Sequence, residues 1–412
     1  MRGRSGQVLY HFISMIYLDH ASTTPLDKEV TKVMMPFGVQ KFANPSSLYK
    51  LGRESATAIR DSRLSVAKIL NCSPEEIIFT AGGTESDNLA IFGVANQFLA
   101  RAKDYHLITT NIEHSAVLNS FRALEKKGFA VTYLPVDKYG LVIAKDVMKA
   151  LRPNTLMVSI IYANNEIGVI QPIAEIAQVI KNYRHIQRVD TVSKDPHFPI
   201  FHSDACQSAG YLDLNIENLG VDLLTLNGSK IYGPKQVGLL YKNRDITLEP
   251  LFYGGDQEYG LRPGTENVAG IVGFAKALEL VNKSKNKETV RLTKLRNYFI
   301  MELLKINNTS LNGHPTLRLP NNINVSFLGI EGESIMLKLD RLGIYVATGS
   351  ACHSLSLEPS HVIMALGQSI EYAHGSIRFT LGKNTTKKEL DQVLKILPKT
   401  ISELRRISAI KS

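Results

Sequence analysis

The sequence predicts an α/β fold, with a large domain built on a mostly parallel sheet and a smaller α+β domain after it. Three observations favour this fold. From residue 75 onward, short apolar runs alternate with segments of helical periodicity, as in parallel sheets that helices cover on both faces. After residue 270 this alternation gives way to one long helical segment. The length of 412 residues suits a large domain followed by a smaller one.

The first elements of the large domain come in pairs of an apolar strand and a helix. The pairs are EEIIFT with ESDNLAIFGVANQFLA, YHLITT with SAVLNSFRALEKKG, and TLMVSIIY with IAEIAQVIKNYR. The uninterrupted apolar character of the strands is typical of parallel strands buried on both faces. We therefore expect ligands at the carboxyl ends of these strands, where polar or glycine-rich residues follow.

Two more strands of the large domain end the segments FPIFHSD and VDLLTLN. The polar residues 182–200 before the first of them are expected to form a surface loop. Residues 270–305 predict one long helix, which leads into the strand NNINVSFL and then into another helical stretch.

These elements divide the chain into a large domain at residues 15–270 and a small C-terminal domain at residues 271–412. The segment 15–30 is expected to pack near the small domain. Residues 1–14 contain two arginines but no sustained apolar core, which favours an upstream extension over a signal peptide.

Composition excludes several classes of protein. Hydrophobic residues make up 44% of the chain and charged residues 21%, and no apolar stretch reaches the roughly 18 residues of a membrane helix. The net charge is +10, but lysine and arginine are spread along the chain, so we expect no direct binding to nucleic acid. Three cysteines without metal-ligand spacing predict neither a disulfide framework nor a metal site, and they favour the reducing cytoplasm.

Lys230 and Asp204 each follow an apolar strand, and together they fit the two ends of one cofactor. A lysine can form an imine with the aldehyde of pyridoxal phosphate, and a carboxylate can keep its pyridine nitrogen protonated. Taken singly, such a lysine is more often a solvated loop residue, and such an aspartate more often forms a turn. Further candidate ligands after other strands favour the functional interpretation.

Four of these candidates suit the cofactor itself. Thr84 opens a helix after a glycine turn, where backbone N–H groups and the hydroxyl can bind a phosphate; a simple helix cap is the alternative. His114 can stack on the pyridine ring and move protons, although a lone histidine more often caps a helix or lies in a core. Asn165 and Gln207 can donate to the phenolic oxygen, and Asn165 also to a substrate carboxylate, unless both only brace turns.

Cys352 and Arg378 are candidates for the chemistry on the substrate. Cys352 lies in YVATGSACHSLSLEPSHV, a run of small and hydroxylated residues typical of a flexible loop. Cysteine is more often buried, but an exposed thiol on such a loop is what sulfur transfer requires. Arg378 can bind the carboxylate of an amino acid through two parallel hydrogen bonds, although surface arginines are common.

The chain resembles the long-loop cysteine desulfurases, which are pyridoxal-phosphate-dependent enzymes of the class-V aminotransferase family. The shared motifs run in order as YLDHASTTP, FANPSSLYKLG, FTAGGTESDNLAI, EHSAVL, NNEIGV, HSDACQS, SKIYGPK, LRPGTEN, VSFLGIEGES and GSACHSLSLEPS. The resemblance implies fold type I of the pyridoxal-phosphate transferases, a seven-stranded sheet and a homodimer. It also implies that L-cysteine is converted to L-alanine, with a persulfide passed to an iron–sulfur scaffold or a tRNA-thiolating enzyme.

The resemblance implies the same roles for Lys230, Asp204, His114, Cys352 and Arg378. It adds phosphate ligands, which are Gly83, Thr84, Asn227 and, from a second subunit, Thr265. Ser229 departs from the family, which more often has histidine immediately before the lysine. Because a serine hydroxyl can still donate one hydrogen bond, we expect weaker or rearranged phosphate binding and no loss of the cofactor.

Two other functions stay open at this point. One is a different reaction on the same fold, such as an aminotransferase or a selenocysteine lyase, which has no need for the loop thiol. The other is an assembly subunit that keeps the fold without a cofactor.

Overall fold

The structure is a computed structural model that describes residues 15–190, 198–348 and 358–408. Its strands are β1 (Ile16–Tyr17), β2 (Ile77–Thr80), β3 (His106–Thr110), β4 (Ala130–Leu134), β5 (Thr155–Ser159), β6 (Ile200–Asp204), β7 (Leu223–Asn227), β8 (Gly238–Lys242), β9 (Thr309–Leu311), β10 (Asn322–Phe327), β11 (Ile344–Tyr345), β12 (Ala347–Thr348) and β13 (Ser376–Thr380).

The helices connect these strands and cover the sheets. They are α1 (Lys28–Val39), α2 (Lys50–Leu70), α3 (Gly83–Ala95), α4 (Ser115–Lys126), α5 (Ala144–Ala150), α6 (Ile173–Asp190), α7 (Ile216–Leu219), α8 (Val268–Leu303), α9 (Gly332–Asp340), α10 (His361–Ala365), α11 (Ile370–His374) and α12 (Lys387–Ile407). Short 3-10 turns lie at Pro74–Glu76, Asn96–Asp104, Gly228–Lys230 and Gln257–Gly260. No helix in the described ranges combines the length and apolar character needed to cross a bilayer.

The large sheet has seven strands in the order β2-β8-β7-β6-β5-β3-β4. Strand β8 runs antiparallel to its neighbours β2 and β7, and the remaining pairs are parallel. The predicted α/β fold with a mostly parallel seven-stranded sheet is therefore confirmed. All strands except β8 run in the same direction, so their carboxyl ends meet at one edge.

Both faces of this sheet are apolar, which explains the continuous hydrophobic runs. Ile77 and Phe79 of β2 belong to one buried cluster, and Ile78 between them belongs to another. In β5, Val158 and Met157 divide between the same two clusters. Side chains alternate between the faces of a strand, so a strand covered on both sides needs an apolar residue at nearly every position.

A second sheet, in the order β12-β13-β10-β9, lies in the C-terminal third. The residues that follow Met15 join this part of the molecule, because Ile16 pairs with Ile344 in the two parallel strands β1 and β11. Helix α8 contributes Phe274 to the core of the large sheet and Phe299 to the core of the C-terminal sheet. The predicted division at residue 270 falls in the first turn of this helix and stays a prediction.

The prediction of a surface loop at residues 182–200 is wrong for residues 182–190, which continue helix α6. The segment has polar side chains but neither glycine nor proline, so nothing in it interrupts a helix. Tyr183 packs on the large core, and Arg184 forms an ion pair with Asp222. Residues 191–197 of that prediction lie outside the described residues.

Candidate active site

The predicted site residues gather at the carboxyl edge of the large sheet. Asp204 is the last residue of β6 and Asn227 is the last residue of β7, with Lys230 in the turn that follows it. His114 comes shortly after β3, and Asn165 comes shortly after β5. Since β7, β6, β5 and β3 are consecutive strands of the sheet, the fold brings these side chains to one place.

An open cleft of about 700 Å³ at this edge is lined by Gly83, Thr84, Asn227 and Ser229, and its volume lies within the usual range for small-ligand sites. Helix α3 begins at Gly83, so its first backbone N–H groups face this cleft and suit a phosphate. The hydroxyl of Ser229 donates to Asn227 Oδ1 at 3.2 Å, which directs that amide. The expectation of weaker phosphate binding at Ser229 stays a prediction.

Gly83 is confined more tightly than an ordinary first residue of a helix. A Cβ atom there would lie 2.8 Å from Cys206 Sγ and 3.4 Å from Asn227 Nδ2, and the first of these separations is shorter than real Cβ contacts allow. The start of α3 therefore packs directly against Cys206, which follows β6, and against Asn227, the last residue of β7.

Gly83→Ala is expected to weaken the binding of pyridoxal phosphate by at least about tenfold, because the displaced helix start loses hydrogen bonds to the anion. The dissociation constant is measured by absorbance titration of the apoprotein. The matched control is the double variant Gly83→Ala with Cys206→Ala, which removes the sulfur and should recover most of the affinity. Unchanged affinity in the single variant would contradict this account of the cleft.

Asp204 and His114 lie together with a third group that the sequence analysis did not select. One ligand atom each of Asp204, His114 and Asp87 lie within 4.8 Å of one another. Asp204 is 5% exposed, and its Oδ1 accepts a hydrogen bond from the Cys206 N–H at 2.9 Å. His114 also caps α4, because its Nδ1 accepts from the Ala116 N–H at 3.2 Å. That bond leaves the proton of a neutral imidazole on Nε2.

A chain of hydrogen bonds joins Lys230 to Arg378 through a residue that the analysis also missed. Lys230 Nζ donates to the Ser22 carbonyl at 2.6 Å, and the Ser22 hydroxyl accepts from Arg378 Nη2 at 2.8 Å. Arg378 also donates to Asp19 Oδ1 at 2.8 Å and to the Asn165 carbonyl at 2.9 Å. The guanidinium and the lysine amine are thus held on either side of one short segment of chain.

Two buried atoms of this group have no hydrogen-bond partner among the described residues, and they are Arg378 Nε and Asn165 Oδ1. Arg378 is only 3% exposed, so an unpaired donor there is costly. A ligand carrying both a carboxylate and an amine would satisfy a donor and an acceptor at this position.

Three predicted residues remain. Gln207 donates from Nε2 to the Ala21 carbonyl at 3.0 Å, next to Ser22. Thr265 is exposed in the loop before α8, and none of the described contacts joins it to the cleft. Cys352 lies outside the described residues.

Two buried acids brace the loops that carry His114 and Asn165. Glu113 Oε1 accepts from the Thr110 hydroxyl at 2.6 Å and from the Ile161 N–H at 3.0 Å, and burial raises the pKa of Glu113 to about 8. Glu166 accepts from the Ser360 hydroxyl at 2.5 Å, and burial raises its pKa to about 7. These contacts hold the loops that carry His114 and Asn165 in place.

The family model described as aminotransferase class-V matches residues 16–201 and 199–393. The chain belongs to the class-V aminotransferase family. The predicted resemblance is therefore confirmed. Members of this family depend on pyridoxal phosphate, and so does this chain.

Relatives within the family share most of this chain. Cysteine desulfurase IscS of Dictyoglomus turgidum is 51% identical over 397 residues, which cover 96% of this chain and 97% of that one. Cysteine desulfurase IscS of Methanosarcina thermophila is 47% identical over 395 residues, covering 96% and 94%. A solved NifS-like protein has a TM-score of 0.85 at 35% identity, covering 95% and 100%. SspA, solved in complex with cysteine, has a TM-score of 0.75 at 35% identity, covering 89% and 98%.

The class-V family's cofactor fits the residues at this edge of the sheet. The turn at Gly83 offers backbone donors that would hold the phosphate, and Asp204 offers a carboxylate that would pair with the pyridine nitrogen. Lys230 offers the amine for the aldehyde. His114, which lies in one close group with Asp204, would stack on the pyridine ring.

Proposed function

We propose that the protein is a cysteine desulfurase that removes sulfur from L-cysteine, releases L-alanine and carries the sulfur as a persulfide on Cys352. The observation that supports it most directly is the chain of contacts from Lys230 through Ser22 to Arg378. These contacts support an arrangement in which Arg378 binds the substrate carboxylate near the amine of Lys230. An α-amino acid carries its carboxylate and its amine on one carbon atom, so both groups would lie near Arg378 and Lys230.

In this proposal each site residue has a separate role. Pyridoxal phosphate, when bound, supplies a ring that withdraws electrons from the substrate. Arg378 and Asn165 hold the substrate carboxylate, and Asp204 keeps the ring nitrogen protonated. Lys230 and His114 move protons to and from the substrate carbons.

Cys352 is the thiol best suited to take the sulfur. Burial raises the pKa of Cys72 to about 12, and burial also raises the pKa of Cys206 well above its ordinary value. Neither of these cysteines provides a thiolate at neutral pH, and the thiolate is the reactive form. In the transfer, a bond forms between Cys352 Sγ and the substrate sulfur as the Cβ–S bond breaks, and the β-carbon gains a proton to give alanine.

The chain on both sides of Cys352 is attached at the site. Thr348 in β12 pairs with Ile377, the neighbour of Arg378, and Ser360 is bonded to Glu166. Cys352 follows Thr348 by only four positions, so three residues lie between them. This tether supports a reaction between Cys352 and a substrate held by Arg378.

A homodimer is part of the proposal, with Thr265 contributing to the phosphate site of the partner. Large apolar side chains are exposed on α1, on the segment after it and on the loop before α8. Those with more than half of their surface exposed include Met35, Val39, Phe42, Leu48, Tyr49 and Tyr253. Ser46 and Tyr259 line one shallow cleft, so these segments are neighbours. Exposed apolar surface of this kind is typical of a subunit interface.

The persulfide would pass to an iron–sulfur scaffold or to a tRNA-thiolating enzyme in the cytoplasm. The two cysteines in the described ranges, Cys72 and Cys206, are free thiols, which agrees with a reducing compartment.

The experiment that tests this function is incubation of the purified protein with L-cysteine and a thiol reductant, followed by measurement of alanine and sulfide together. Equal amounts of both products are expected. L-serine, which has oxygen in place of the sulfur, is the control substrate and should give neither. Alanine without sulfide, or the absence of both, would count against a desulfurase.

A further inference from the structure

A buried acid lies close to Asp204. Asp87, on α3, is 1% exposed, and its Oδ1 has no hydrogen-bond partner among the described residues. One of its oxygens lies within 4.8 Å of Asp204 and of His114. Glu113, fully buried nearby, adds a third acid to the same region.

The imidazole of His202 on β6 also lies near Asp87. Its Nδ1 is 2.8 Å from the Ser159 hydroxyl, and its Nε2 is 3.1 Å from the Thr225 hydroxyl. The distance from Nε2 to Asp87 Oδ1 is 3.7 Å, well beyond the 2.7–2.9 Å of a charge-assisted hydrogen bond. Burial lowers the pKa of His202 to about 4, so this ring is neutral at pH 7.

Two buried carboxyl groups this close favour one negative charge over two, because the charges repel each other and burial deprives both of solvation. Asp204 is the better place for the negative charge, because its Oδ1 accepts the backbone N–H of Cys206 at 2.9 Å. Burial raises the pKa of Asp87 well above its ordinary value, with Asp204 as the next cause.

We propose that Asp87 stays a neutral carboxylic acid and so leaves the single negative charge of the pair on Asp204. Asp87 is in this way a positioning residue for Asp204. Asp87 itself does not touch the cofactor in this account. It acts by preventing the pair from being doubly charged, and the groups that face it are Asp204, His202, Glu113, His114 and Thr225. The inference rests on the proposed place of Asp204 at the ring nitrogen.

The first test is infrared spectroscopy of the holoenzyme at pH 7. Subtracting the spectrum of Asp87→Asn from that of the wild type should leave the C=O band of one protonated carboxyl group. Glu85→Gln is the matched control, because Glu85 lies on the same helix and is ion-paired with Arg262; it should lose a carboxylate band instead. If Asp87→Asn also loses only a carboxylate band, Asp87 is ionised and the proposal is overturned.

A second measurement covers the case in which Asp87→Asn folds poorly. Aspartate labelled with carbon-13 in its side-chain carboxyl group should shift a protonated-carboxyl band in the wild-type protein, while bands from Glu113 stay in place. No shifted band would overturn the proposal. Neither spectrum requires turnover, so a failure here is separate from a failure to form alanine and sulfide.

The third measurement is the dependence of unfolding on pH for the wild type and Asp87→Asn. An aspartate whose pKa is raised by folding contributes stability below its unfolded pKa of about 3.9, and this contribution is lost as pH rises toward the folded pKa. Between about pH 4 and pH 7, the ratio of folded to unfolded wild type should therefore fall relative to the variant by up to about tenfold for each pH unit. A constant ratio across this range would contradict a neutral Asp87.

Discussion

Lys230→Ala is expected to lower the rate of alanine and sulfide formation from L-cysteine by roughly 10³-fold or more, because the amine that meets the cofactor and moves the proton is lost. The variant should also lose the visible absorbance that the bond between cofactor and lysine gives. Borohydride should attach the cofactor covalently to the wild-type peptide that contains Lys230, which mass spectrometry detects, and it should attach none to the variant.

The control for this experiment is Lys276→Ala, which removes a lysine of α8 that forms a surface ion pair with Glu279. That variant should keep both the absorbance and the turnover. If Lys230→Ala keeps the visible absorbance, and borohydride still attaches the cofactor to the variant, the cofactor is bonded to another residue. A wild-type protein that never binds the cofactor would instead favour an assembly subunit without catalysis.

Cys352→Ser is the second change with a large expected effect. Without the loop thiol the substrate sulfur has no acceptor, so turnover of L-cysteine should fall by about 10²-fold to 10⁴-fold, in the range of a lost catalytic group. The absorbance of the bound cofactor should stay unchanged, and so should the spectral change when L-cysteine binds. Steady-state kinetics and absorbance together measure this separation of binding from transfer.

Cys72→Ser is the matched control, because burial holds that thiol protonated and its loss should leave turnover near the wild-type rate. If Cys352→Ser still forms alanine from cysteine at the wild-type rate, the thiol has no part in the reaction. That outcome would favour an aminotransferase or a selenocysteine lyase.

The residues at the ends of strands were the part of the site that the sequence could predict. Asp204, Asn227 and Lys230 each follow an apolar run, and parallel strands bring such positions to one edge whatever the details of packing. The roles of these residues stay predictions, since the structure places them together without showing a reaction.

The residues that were missed act through partners distant in the chain. Ser22 accepts a hydrogen bond from Arg378, 356 positions away, and no local pattern indicates such a pair. Asp87 lies in a helix start whose glycine turn and Thr84 predict phosphate binding, and nothing in that pattern indicates a role for an acid. The role that we propose for Asp87 depends on its contacts with Asp204 and His202, which both lie on β6.

The mistaken loop at residues 182–190 has a different cause. Polar side chains are typical of a surface loop, but a helix with one solvated face is polar over the same length. The contacts that hold α6 there are the packing of Tyr183 and the ion pair of Arg184 with Asp222, and they involve residues from other elements.

Helix α8 makes the two parts of the molecule depend on each other, although the sequence predicts them as two domains. Its first turns complete one hydrophobic interior through Phe274, and its last turns complete the other through Phe299. Neither half of the polypeptide could be excised with its interior intact, and a chimera joined anywhere along this helix would have to match both interiors at once. The guanidinium of Arg378 belongs to one half and the amine of Lys230 to the other, so neither group can be exchanged together with its half alone.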